Sequence, residues 1–174
     1  MQLNITTDYA IRLLLSLGKM GVKKAGPLIA EEMMIPPKYI LKISSKLRAA
    51  KLIGSDSGSQ GGYYLMKPLE EITLMDVLSV MESTIKINRC LEPDTYCSRG
   101  RVKDCPVHRF YLVMQQELEE KWLSQSLSGI IEKYKSTWSN EIIGIEDARK
   151  EIAIRHTCKE EQQEERLSMS EKGR

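Results

Sequence analysis

Stretches in which apolar residues recur every three or four positions predict most of this chain's elements, and the gaps between them mark its loops. Ala10, Ile11, Leu13, Leu14 and Leu17 form the first stripe, which Thr6 or Thr7 can N-cap and which Gly18 and Gly21 end near Lys19. A buried first helix is expected. The run Pro27 to Met34 reads as a short helix with proline in its first turn, stopped by Ile35-Pro36-Pro37. From Pro37 to Lys51, Ile40, Ile43 and Leu47 share one stripe, while Lys38, Lys42, Ser45 and Lys46 fall mostly on another. One stripe can pack and the other can meet a polyanion.

Leu52-Ile53 and Tyr63 to Met66 are strand-prone runs around the polar, glycine-rich span Gly54 to Gly62, which predicts a hairpin. Thr73 can N-cap a helix over Leu74 to Glu82, and Ile85 to Asp104 has no sustained period. Pro106 then opens a long helix with Phe110, Val113, Met114, Leu118 and Trp122 on one side. Such a face needs a partner. Ser124 or Ser126 can cap a further short helix, and Lys159 to Arg174 is almost wholly charged or polar, so the tail is expected to fray. The expected class is mainly α with a small β-hairpin wing: a winged helix-turn-helix over 1–84, a loop over 85–105, a dimerisation helix and short helix over 106–138, and a C-terminal extension over 139–174.

Composition narrows the function classes. With 174 residues, 41% hydrophobic and 29% charged, the chain can build a real core. Its most apolar stretch, near Ala10 to Leu17, is interrupted by Arg12 and Ser16 and is shorter than the about 20 residues a bilayer span needs. No basic, apolar leader opens the sequence, so a cytoplasmic location without membrane contact is expected. The net charge of +2 hides a division: residues 1–67 carry ten Lys or Arg against four Asp or Glu, a net +6, leaving −4 on the rest. A basic front on an acidic remainder suits a nucleic-acid-binding head attached to a non-binding arm. No phosphate-binding loop, nucleophile elbow or dinucleotide fingerprint is present, so no enzyme is expected.

Three of the four cysteines, with a histidine, form the remaining constellation. Cys90, Cys97, Cys105 and His108 are spaced C-x6-C-x7-C-x2-H, and Cys158 stands apart. In a reducing compartment such a cluster reads as a metal site or a redox switch. Only Cys105 to His108 has the tight spacing of a zinc knuckle, whereas an iron-sulfur core tolerates wider separations and an imidazole ligand. An iron-sulfur cluster, zinc and a thiol switch all stand open on spacing alone.

The residues Met1-Gln2-Leu3, Thr7-Asp8-Tyr9-Ala10, the Tyr39 helix, the wing ending Gly61-Gly62-Tyr63 and Ile72-Thr73-Leu74-Met75-Asp76-Val77-Leu78, followed by three cysteines before a long helix, resemble the winged-helix iron-sulfur transcription regulators typified by IscR and NsrR. Cluster-free relatives of that family include CymR. The resemblance spans roughly residues 1–134. It implies a homodimeric regulator of double-stranded DNA with a palindromic operator, and an iron-sulfur cluster held by Cys90, Cys97 and Cys105. His108 matches the fourth ligand of 2Fe-2S members and is favoured; Asp8 matches the aspartate that 4Fe-4S members contribute from the partner subunit. Lys38, Tyr39, Lys42, Ser45 and Lys46 are the implied DNA contacts, with Ser57 and Ser59 on the wing. Three departures stand out. The cysteines are separated by six and seven residues where five is common, which leaves the cluster type, 2Fe-2S or 4Fe-4S, open. The wing stretch Ser55 to Gly58 carries an acid and serines where an arginine is common, and Leu41 occupies a position where polar base-reading residues are frequent. The rival readings are a cluster-free thiol-redox or zinc-containing repressor and a protein-interaction module that does not bind DNA.

Overall fold

The computed structural model describes residues 3–58 and 60–135, so Ser59, Cys158 and the expected 139–174 extension lie outside the described residues. Three helices come first: α1 (Ile5–Leu17), α2 (Gly26–Glu32) and α3 (Pro37–Ala49). Asn4, not Thr6 or Thr7, caps α1 by accepting the Thr6 N–H at 3.1 Å. The threonine hydroxyl expected to cap is used elsewhere, because the buried Thr7 Oγ1 donates to the Glu82 carboxylate at 2.5 Å. Gly18 ends the helix at φ +62°, a conformation that strains any residue with a Cβ, two positions before the predicted end.

Strands β1 (Ile53–Asp56) and β2 (Gly62–Leu65) pair antiparallel, with Ile53 opposite Leu65 and Asp56 opposite Gly62. The ladder extends through Gly54-Ser55-Asp56, which the sequence reading places in the loop. Backbone pairing explains this: Tyr63 exchanges hydrogen bonds with Lys24 at 3.0 and 2.8 Å, so β2 is held from its other side as well. A Cβ at Gly62 would sit 2.6 Å from the Lys24 carbonyl oxygen, so only glycine admits this approach.

The predicted stripes meet in one core. Ala10, Leu13, Leu14 and Leu17 pack with Ile29, Ile40, Ile43 and Leu47, and with Ile53, Leu65, Ile72 and Val77. Each fully buried leucine or isoleucine contributes about 1.5–3 kcal/mol. Helix α4 (Leu74–Met81) adds to it and opens on a complete capping box, with Thr73 and Asp76 exchanging side-chain to backbone hydrogen bonds at 3.1 and 2.8 Å. Arg89–Leu91 makes one 3-10 turn in the loop that follows, and α5 (Pro106–Glu117) begins at the predicted proline.

Helix α5 runs into a π-helical segment, Leu118–Leu123, which the apolar spacing does not announce. The chain then returns to α4: Leu74 N–H donates to Gln125 O at 3.0 Å and Leu127 N–H to Ile72 O at 2.8 Å, burying Leu123 and Leu127. Residues 127–135 are helical, with Ser126 Oγ accepting the Gly129 N–H at 3.1 Å. The chain through Ile130 forms one compact unit and a second begins at Ile131. The architecture is mainly α with a two-stranded wing, as the pattern predicts. Among the described residues no helix is long and apolar enough to cross a membrane.

Candidate functional site

Helix α3 carries Lys38, Lys42, Lys46 and Arg48 and no acid. Its buried stripe, Ile40, Ile43, Ser44 and Leu47, is held by α1, α2 and β1, which leaves Lys38, Leu41, Lys42 and Ser45 exposed on the outer face. The candidates on it separate. Lys38, Lys42 and Ser45 are free to reach outward. Tyr39 is half-buried, its ring 5.4 Å from that of Tyr9, so it seats α3 on α1. Lys46 donates to the Met81 carbonyl oxygen at 3.2 Å and ties α3 to the end of α4.

On the wing, Ser57 is exposed at the turn. The acid beside it is compensated: Asp56 pairs with Lys23 at 2.5 Å, and its carboxylate raises the Lys23 pKa above the ordinary lysine value. A second pair, Lys24 with Glu32 at 2.6 Å, joins the wing-side backbone to α2, and its hydrogen bond holds the Glu32 carboxyl below the usual range. Neither Lys23 nor Lys24 stood out in the sequence, because pairing across 33 and 8 residues leaves no local periodicity.

The thiol loop is pinned at both ends. Asn88 Oδ1 accepts the Cys90 N–H at 3.2 Å; Arg89 pairs with Asp94 while its guanidinium lies 5.7 Å from the Tyr96 ring centroid. On the α4 side, Lys86 pairs with Glu119 at 2.8 Å, and the buried Gln115 accepts the Ile87 N–H at 2.9 Å. Cys105 is the N-cap residue of α5, with Pro106 at the first helical position, so His108 comes off the first turn. Its Nδ1 lies 3.3 Å from Cys90 Sγ, which links the loop directly to the helix.

Cys97 and Cys105 line one small cavity of about 140 Å³ with Arg99, Arg101 and Asp104. Backbone N–H groups of Arg101, then Arg99, point at the Cys97 sulfur and lower its pKa, outweighing partial burial. Cys90, Cys97 and Cys105 are all free and half-buried. Among the described residues no three His, Cys, Asp or Glu side chains close into one metal-binding group. Cys90 and His108 are in contact, while Cys97 and Cys105 line a shared cavity. Asp8 lies on α1 and is paired with Arg12 at 2.7 Å within its own helix.

The donor set nevertheless suits an iron-sulfur centre. Three free thiols and an imidazole, with backbone N–H groups aimed at one sulfur, are the ligand types and hydrogen bonds such a centre uses.

The chain is 33% identical over 108 residues to Protein aau3 of Rhizobium meliloti, covering 62% of this chain and 66% of that protein. It is 31% identical over 97 residues to the HTH-type transcriptional regulator NsrR of Shouchella clausii, covering 55% and 65%. The chain spans between about half and two thirds of the length of the curated relatives it matches first. In fold it superposes on CymR, the global cysteine regulator of B. subtilis, with a TM-score of 0.62 at 23% identity, covering 76% of this chain and 98% of that one. Several relatives are named as HTH-type transcriptional regulators, in keeping with the expectation of no enzyme. The family profile described as Rrf2, iron-dependent transcriptional regulator, matches residues 3–133, so this chain belongs to the Rrf2 family of transcriptional regulators.

Proposed function

We propose that the protein is a homodimeric DNA-binding regulator in which Cys90, Cys97, Cys105 and His108 hold an iron-sulfur centre, of the 2Fe-2S type, that sets its affinity for a palindromic operator. The observation that carries this reading is the 3.3 Å approach of Cys90 to His108, which joins the loop after α4 to the first turn of α5. Such a centre supplies a redox- and ligand-sensitive cross-link between the donors.

The chain's own residues convert loop order into head placement. Gln115 and Lys86 hold the start of the loop on α5 and the π-helical segment, while Lys46 holds α3 to the end of α4. An ordered loop therefore fixes α5 relative to α4, and α4 relative to α3. The exposed apolar face of α5 and the π-helical segment after it, with Phe110 61%, Val113 58% and Trp122 53% accessible, is the surface a second copy covers. Two α3 helices held at a set separation read two half-sites of one duplex. Lys38 and Lys42 grip phosphate and Ser45 meets a base edge or phosphate. Loosening the loop relaxes that separation and shifts the binding equilibrium.

Anaerobic purification followed by iron, sulfide and absorbance analysis tests the ligand set. We expect a coloured protein with about two iron and two sulfide per protomer, bleached by Cys90→Ala, Cys97→Ala or Cys105→Ala. Colourless protein with stoichiometric zinc, or with a Cys97–Cys105 disulfide forming reversibly on oxidation, contradicts the cluster.

A further inference from the structure

Leu41 is 75% exposed on the outer face of α3, on the α2-side flank of its lysines, with Lys38 one turn before it and Ser45 one turn on. Leaving a leucine in water there gains nothing for the fold, whose buried stripe is already complete with Ile40, Ile43 and Leu47. The surface around it is apolar too. Leu41 borders an open crease of about 500 Å³ between α2 and α3, formed with Ala30, Ile35, Pro37 and Ile40 and carrying Glu31 at its rim.

We infer that Leu41 and this crease receive the C5 methyl group of a thymine in the major groove, making Leu41 a specificity-determining residue. The occupant follows from charge and shape together. A helix with four cations and no acid is drawn to a polyanion, and its lysines can settle on phosphates while Leu41 faces the base edges. The thymine methyl is the apolar group that duplex DNA exposes in that groove, and apolar side chains are its usual contact. Leu41 can neither donate nor accept a hydrogen bond, so it contributes sequence preference only by covering that methyl. The inference rests on the DNA-binding reading above.

The test starts by selecting sites with the full, anaerobically prepared chain from duplexes with a random core. Each thymine of the enriched site is then replaced singly by deoxyuridine, which removes only the methyl. In each half-site we expect one such replacement to weaken binding of the wild-type chain about fourfold, the value of one buried methyl. Leu41→Ala should bind the two duplexes alike, and Leu41→Met should still discriminate. The inference is overturned if no deoxyuridine replacement weakens wild-type binding, or if Leu41→Ala loses affinity in parallel with the wild type. A chain that enriches no sequence and binds no duplex in a salt-dependent manner overturns the DNA-binding reading as well, which separates the two failures.

Discussion

Gln115 holds the loop at Ile87: its Oε1 accepts the Ile87 N–H at 2.9 Å, while its Nε2 donates to the Ile85 carbonyl at 3.2 Å. The side chain is 4% exposed, so water cannot replace these bonds. Gln115→Leu leaves the part-buried Ile87 N–H and Ile85 carbonyl without this partner and is expected to destabilise the protein by about 1–3 kcal/mol. Urea unfolding of the two proteins measures this directly; an unchanged midpoint would show that the clasp contributes nothing.

Lys42 and Lys46 look equivalent in the sequence but differ in their partners. Lys42 is exposed without a protein hydrogen bond among the described residues, whereas Lys46 reaches the Met81 carbonyl at 3.2 Å. Lys42→Ala should leave stability unchanged and lower the slope of log binding against log salt by about 1. Lys46→Ala should cost about 0.5–1.5 kcal/mol of stability, with a smaller change in salt slope. Thermal unfolding together with duplex titrations at several salt concentrations distinguishes the two.

Acid should weaken the loop clasp. Glu119 is held below its ordinary value of 4.5 by hydrogen bonds from Lys86, then Gln115, and Glu32 is held below the same value by Lys24 and Ser16. A carboxyl depressed in the folded state stabilises fully above its unfolded value, and that contribution is lost as pH falls through the lowered folded value. The melting temperature should therefore fall as pH drops below about 4.5, and Glu119→Gln should fall less steeply over that window. Parallel pH profiles of the wild type and the variant would refute this.

The α5 face tests the dimer. Phe110, at 61% exposure, can be changed without disturbing the head core. Phe110→Glu should give a folded monomer by sedimentation, with unchanged helical content and much weaker operator binding. A variant that sediments as the wild type does would move the dimer interface elsewhere.

How legible these features were depends on the range of the interaction that makes them. The α1 stripe and the Thr73 cap rest on contacts within four residues, so periodicity and local side-chain chemistry disclose both. The likeness to iron-sulfur regulators was likewise carried by short motifs in a fixed order, and the family match over residues 3–133 agrees with it. The length of β1 was not legible, because Gly54-Ser55-Asp56 has no strand propensity and is held by Tyr63, Tyr64 and Gly62 across the hairpin. The clasp at Gln115 and the tie at Lys46 were equally hidden, since polar residues on helices normally face water and only tertiary packing turned these toward backbone groups 28 and 35 residues away.

The central claim is that occupancy of the thiol loop governs the grip of α3 on DNA. Its most direct test is duplex affinity of the same anaerobic preparation, on a site selected with it, before and after removal of its iron with a chelator. A change of tenfold or more, reversed on reconstitution with iron and sulfide and absent in Cys105→Ala, is the result predicted. Equal affinity in the two states, with iron and sulfide shown present in one and absent in the other, would contradict it.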